Sequence, residues 1–177
     1  RELFIRLLAS GPALLNVWED IDFIDVPGKL IPEWLGVRNR PSASAAHRYT
    51  IDRHMVEVVT RLGRETPSGG RYDDRHYEAL LLAGILHDIG KRPGVANHAA
   101  EGARHATVVV ERMGFDRDIV RWVTLLVREH LTLSEFTTGR NPNDPNVGDD
   151  LAGRLDHNPV LLDMLFDLTR ADGSSLG

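Results

Sequence analysis

Apolar residues recur at helical spacing along most of this chain, while the two-residue alternation that builds strands is weak. That pattern points to an all-α fold. Short helices are expected over residues 2–9 and 12–20, broken by Gly11-Pro12. Residues 22–50 hold Pro27-Gly28, Pro32 and Pro41 with a Ser/Ala run and are expected to be mostly irregular. A core helix follows from Ile51 to Leu62. A second starts at Asp73-Asp74 and runs to Ile89, where Gly90 stops it. Asn97 caps a third, to Met113, and Asp116 a fourth, to Leu131. A Gly/Asn/Pro-rich loop is expected over 138–148 and a short helix over 149–156. Asn158-Pro159, a cap followed by a first-turn proline, opens a last helix that ends near Asp172-Gly173.

Drawing the apolar stripes of these helices exposes a second pattern. His54 lies above Val58 and Leu62. His87 and Asp88 continue the face of Leu80, Leu81, Gly84 and Ile85. His98 shares a face with Gly102 and Val109, and the stripe Ile119, Trp122, Val123, Leu126, Val127 leads to His130. Leu161, Met164, Leu165 and Leu168 lead to Asp172. Six ionisable residues thus sit on stripes that face a core. A single histidine there is usually a hydrogen-bonded core residue, and a single aspartate at a helix end is usually a cap. Six on five helices demand a common cause, because an isolated buried charge costs several kcal/mol.

Composition narrows the cause. The chain has no cysteine, which excludes disulfides, thiolate ligands and a cysteine nucleophile. A metal must therefore be held by His, Asp or Glu. Four imidazoles and two carboxylates converging on one point suit a divalent cation of the Mn, Fe, Zn or Mg kind. A net charge of −5 without a basic run disfavours nucleic acid as partner. No apolar stretch approaches a membrane span and no signal peptide is visible, so a cytoplasmic enzyme is expected. The 177 residues fit one domain. The amphipathic start at Arg1 and the stop just after Asp172 read as a piece of a longer protein.

The segment Leu82-Ala83-Gly84-Ile85-Leu86-His87-Asp88-Ile89-Gly90-Lys91 resembles the signature of the HD superfamily of metal-dependent phosphohydrolases. His54, in His-Met-Val-Glu-Val, matches the first-ligand helix, and Asp172, in Thr169-Arg170-Ala171-Asp172, matches the last. Further matches are Pro32-Glu33-Trp34, the run His47 to His54, Asn97-His98, Arg128-Glu129-His130-Leu131 and Asn143-Asp144-Pro145. Together they resemble the uridylyl-removing HD domain of the bifunctional PII uridylyltransferases, from about residue 4 to 177. The chain departs from that pattern at Glu129, where many relatives carry a second histidine, and in the loosely matching loop Gly139 to Pro145.

The resemblance implies an HD helical bundle over 47–177, preceded by an N-terminal helical extension and linker over 1–46. It implies a parent chain with a nucleotidyltransferase domain before it and glutamine-sensing ACT domains after it. The implied substrate is nucleotidylated PII, from whose tyrosine UMP or AMP is hydrolysed. His54, His87, Asp88 and Asp172 would be metal ligands, with Asp88 able to bridge two ions. His98 and His130 would serve a second ion or contact phosphate, and Lys91 could reach a phosphate oxygen. Arg140 and His47 are candidate substrate contacts, against solvated or structural roles. His105 lies two turns from His98 and is read as structural, and His76 and His157 as surface residues. Two other readings remain open: an HD hydrolase of small nucleotides, and a non-catalytic regulatory module that binds nucleotide or glutamine.

Overall fold

The computed structural model describes residues 1–43, 48–66, 70–139 and 144–176. Ten α-helices and one 3-10 helix are found among them, and the only pairing of extended backbone is an isolated antiparallel bridge between Pro41 and Thr50. The fold is the expected all-α bundle. Its helices are α1 (Glu2–Leu8), α2 (Ala13–Phe23), α3 (Val26–Leu30), α4 (Ile51–Glu65), α5 (Asp74–Leu86), α6 (His98–Arg112), α7 (Arg117–Glu129), α8 (Thr132–Gly139), α9 (Pro145–Arg154) and α10 (Pro159–Gly173).

Helix α5 is the axis of the bundle. Leu80, Leu81, Leu82, Ala83, Ile85 and Leu86 are all fully buried, so this helix is apolar all round and must be enclosed by others. It packs against α4 and α7, with α6 on α7 and α10 across α4, α5 and α7. Because α4, α5, α6 and α7 alternate in direction, the start of α4, the end of α5, the start of α6 and the end of α7 meet at one end of the bundle. The end of α10 joins them there. Leu8, Leu14, Trp18 and Trp34 from the N-terminal segment are buried in the same core, and the Trp18 and Trp34 rings lie 5.3 Å apart.

The caps form where the polar side chains stood in the sequence. Asp73 accepts from the His76 amide, Asn97 from Ala100, Asp116 from Asp118 and Ile119, and Asn158 from Val160. Asn97→Ala is expected to cost about 1 kcal/mol, lowering the melting temperature by roughly 2–4 °C. An unchanged melting curve would mean that the α6 start is held by packing alone.

Several boundaries differ from the sequence reading: α2 runs to Phe23, α4 to Glu65, and α9 starts at Pro145, inside the expected loop, where Asp144 caps it. Residues 26–36, expected to be mostly irregular, form α3 and the 3-10 helix Pro32–Gly36, each with a proline in its first turn, where the missing N–H costs nothing. Residues 132–139 form α8, where no element is expected over 132–137 and a loop from 138. Its Thr and Ser residues are poor helix formers, but Phe136 is buried and the Thr132 hydroxyl bonds Glu129, so tertiary contact overrides propensity. Helix α5 ends at Leu86, not Ile89, and His87 to Gly90 form a turn. A Cβ on Gly90 would lie 2.2 Å from the His98 carbonyl oxygen and 2.4 Å from the Gly102 nitrogen. The backbone there is pressed against α6, and the chain leaves the helix to reach it.

Candidate metal centre

The five meeting helix ends carry the six inward ionisable residues. His54 comes from the first turn of α4, His87 and Asp88 from the turn after α5, His98 from the first residue of α6, His130 from the end of α7 and Asp172 from the last turn of α10. His54, His87, Asp88 and His130 are buried to within 2 % of full enclosure. His54, His87 and Asp88 present ligand atoms all within 4.8 Å of one another, and Asp88, His98 and His130 do the same. Asp88 belongs to both groups, so its two carboxylate oxygens lie between two sets of imidazoles.

Backbone carbonyls orient three of these rings. A carbonyl can only accept, so the Nδ1–H of His54 donates to Ser175 (3.0 Å), that of His87 to Gly84 (2.8 Å) and that of His130 to Val127 (2.7 Å). Each ring therefore turns its Nε2 toward the carboxylates. The His54 Nε2 lies 2.8 Å from Asp172 Oδ1. The His87 Nε2 lies 3.5 Å from Asp88 Oδ2 and 3.7 Å from Asp172 Oδ1. The His130 and His98 Nε2 atoms lie 3.5 and 3.7 Å from Asp88 Oδ1. The Nε2 atoms of His87, His98 and His130, together with Asp88 Oδ1, are buried without a hydrogen-bond partner.

Such a group of orphaned atoms is costly unless something meets them. Neighbouring ligand atoms on one ion with bonds of about 2.1 Å lie about 3 Å apart, close to the separations found. Donation of the second ring N–H to a carbonyl is also how metal-binding histidines are usually held. The residues fit a divalent cation.

Electrostatics keep His87 and His98 neutral, whereas in His130 burial is overcome by the Asp88 carboxylate and the pKa is raised. Burial pushes the His87 imidazole down to about 4, against the pull of Asp88 and Asp172, so it is neutral with a free lone pair at neutral pH. Burial also lowers His98. Burial would raise Asp88, but His87, His130 and Lys91 hold it well below the ordinary carboxylate range. Burial would raise Asp172, but its bond to His54 together with the charges of His87 and His54 draws it down to about 2. In His54 burial is overcome by Asp172 and the pKa is raised above the ordinary 6.5. Metal and proton then compete for His54. Because the raised pKa keeps the proton on at higher pH, Mn²⁺ affinity is expected to go on climbing as pH rises above about 6.5, the ordinary histidine value. Calorimetry giving an affinity that is flat above that pH would rule this competition out.

The remaining sequence candidates fall in distinct places. The Lys91 ammonium is 2.6 Å from Asp88 Oδ2, so it neutralises the shared carboxylate as well as lining an adjoining cavity. Glu129 turns away from the cluster, accepting from Thr132 (2.7 Å), Arg128 (3.0 Å) and Arg154 (3.3 Å). His105 pairs with Glu101 at 3.1 Å. His157 is exposed, but His76 is half-buried and stacked on Trp122 at 4.1 Å, which corrects its reading as a surface residue. His47 and Arg140 lie outside the described residues. The orienting carbonyls of Gly84, Val127 and Ser175 went unread in the sequence. A signal existed for two of them, since both His87 and His130 follow their acceptor by three residues at a helix end.

No family model matches this chain. Curated proteins do match it. A bifunctional uridylyltransferase/uridylyl-removing enzyme of Streptomyces coelicolor is 36 % identical over 178 residues, covering 100 % of this chain and 20 % of the relative. The enzyme of the same description from Mycobacterium tuberculosis is 34 % identical over 171 residues, covering 97 % of the chain and 20 % of the relative. That from Caulobacter vibrioides is 34 % identical over 186 residues, covering 98 % and 19 %. The chain spans about a fifth of the length of the relatives it matches. From end to end, the chain is thus a relative of one segment of the bifunctional uridylyltransferase/uridylyl-removing enzymes.

Proposed function

We propose that this chain is an HD-type metal-dependent phosphodiesterase that removes a nucleotidyl group, UMP or AMP, from a tyrosine of the PII signalling protein. The observation that carries the reading is the set of orphaned lone pairs around Asp88 Oδ1, built by five helices at one end of the bundle. The printed description of the relatives, uridylyl-removing, supports the reaction class. On this reading residues 47–177 form the hydrolase domain, residues 1–46 buttress it, and glutamine-sensing ACT domains belong to the parent chain.

His54, His87, Asp88 and Asp172 would hold a divalent ion, Mn²⁺ or Mg²⁺ ahead of Fe or Zn, which supplies Lewis acidity and acidified water when bound. Asp88, ionised throughout the working range, shares its charge between two sets of imidazoles. His98 is the most exposed of the cluster's four histidines, on the side where a phosphate would enter. Lys91 is partly exposed and offers positive charge to the non-bridging oxygens. Water attacks phosphorus, the bond to the tyrosine oxygen breaks, and the phenol leaves with a pKa of about 10, needing little acid assistance.

The second ligand group would let His98 and His130 hold a second ion, with Asp88 as the shared carboxylate. Wild type at saturating Mn²⁺ is expected to hold two ions, and the His98→Ala, His130→Ala double variant one. A wild-type stoichiometry of one with full activity would assign both histidines to phosphate. The proposal as a whole is tested by incubating the Mn²⁺-loaded chain with uridylylated and adenylylated PII. Release of UMP or AMP, abolished by a chelator, is expected; PII that stays modified would refute the assignment.

A further inference from the structure

We propose that the cavity of about 560 Å³ beside the cluster is a nucleoside slot that receives the base and ribose of a nucleoside monophosphate. The inference rests on the phosphodiesterase reading for the position of the phosphate.

Position comes first. Lys91 and His98 line the cavity, and the same two side chains face Asp88, at 2.6 and 3.7 Å. One end of the cavity is therefore the metal cluster. Its other walls include Pro41, Ile51, Pro93 and Val95, which offer apolar contact, with Arg40 and Arg92 also in the lining. A flat, neutral ring carrying an anionic group suits that arrangement, with ring against proline and aliphatic surface and phosphate against Lys91 and His98. The volume lies within the ~300–1,000 Å³ typical of ligand pockets.

The walls are also fixed before any ligand arrives. The Ile51 amide donates to the Arg40 carbonyl at 2.8 Å, and the bridge between Pro41 and Thr50 pins that loop to the start of α4. On the other side Arg92 donates to the Glu33 carbonyl at 2.6 Å and to the Ile89 carbonyl at 3.4 Å. Gly36 makes room for it, since a Cβ there would lie 2.4 Å from the Arg92 Cζ. The Glu33 carboxylate is itself clamped by both Arg112 nitrogens, at 2.9 and 2.6 Å. Walls held this way favour binding of a defined shape, because little ordering remains to be done.

A second cavity, of about 470 Å³, shares His98 but is lined by Arg128, Glu129 and Arg154. A nucleotidyl–protein diester has two arms meeting at phosphorus. The cavity lined by charges of both signs suits the surface of a protein, and the one with proline and aliphatic walls and only cationic charge suits the nucleoside and its phosphate.

The test measures binding, not turnover. In the presence of Mn²⁺, the wild-type chain is expected to bind UMP or AMP at least about ten-fold more tightly than inorganic phosphate, a difference of about 1.4 kcal/mol. Val95→Trp, which fills the slot from an exposed loop, is expected to abolish that preference while phosphate affinity stays within about two-fold. Ala43→Trp, from the other loop, should do the same if Val95→Trp fails to fold. The proposal is overturned if wild type does not prefer nucleotide to phosphate, if both tryptophan variants keep the preference, or if both ligands are lost together. Nucleotide binding without any hydrolysis of modified PII would instead remove the phosphodiesterase reading and leave the slot.

Discussion

Asp88→Ala is expected to lower phosphodiester hydrolysis by on the order of 10³-fold or more, with the helical fold intact. Asp88 is the one residue common to both ligand groups, so its loss leaves His54 and His87 on one side and His98 and His130 on the other with no shared carboxylate. The fold survives because the change removes a fully buried charge whose solvation cost was offset only by its cationic neighbours. Lys91, its ion-pair partner, is partly exposed and can turn to solvent. Activity within about ten-fold of wild type would place the chemistry elsewhere. A collapsed far-ultraviolet circular dichroism spectrum would show that Asp88 acts mainly through the fold.

Gly90→Ala is expected to be among the most damaging single-methyl additions in the chain. The added carbon would meet backbone on α6 at 2.2 and 2.4 Å, and backbone cannot swing aside as a long side chain does. Relief requires the 87–90 turn and the start of α6 to separate, at a cost of about 3 kcal/mol. For a chain of this size that is a fall of roughly 6–12 °C in melting temperature. The same separation moves Asp88 away from His98, so Mn²⁺ affinity should fall with stability. Thermal melts of the two proteins that superimpose would show that the turn tolerates a Cβ and that the close approach is not required.

The cluster was legible because buried ionisable side chains leave a contradiction in the sequence. His54, His87, Asp88, His130 and Asp172 each interrupt or end an apolar stripe, and helical periodicity alone was enough to aim them inward. The all-α class followed from the same periodicity. What stayed hidden was backbone. The carbonyls of Gly84, Val127 and Ser175 that set each imidazole have no side chain to mark them. The early end of α5 depended on contact with α6, which no local pattern at Ile89 records. Helix α8 was missed because its Thr and Ser content argues against helix, and its stability comes from Phe136 and Glu129. Glu129 departs from the family pattern without touching the cluster. One residue before His130 it projects about 100° around the helix, where Arg128, Thr132 and Arg154 receive it.

The central claim, that the Asp88 cluster is a metal centre, is tested most directly by elemental analysis of the chain after Mn²⁺ loading and gel filtration. The account predicts at least one tightly held ion per wild-type chain and none in Asp88→Ala. A wild-type chain that retains no ion, or an Asp88→Ala chain that retains as many as wild type, would contradict it.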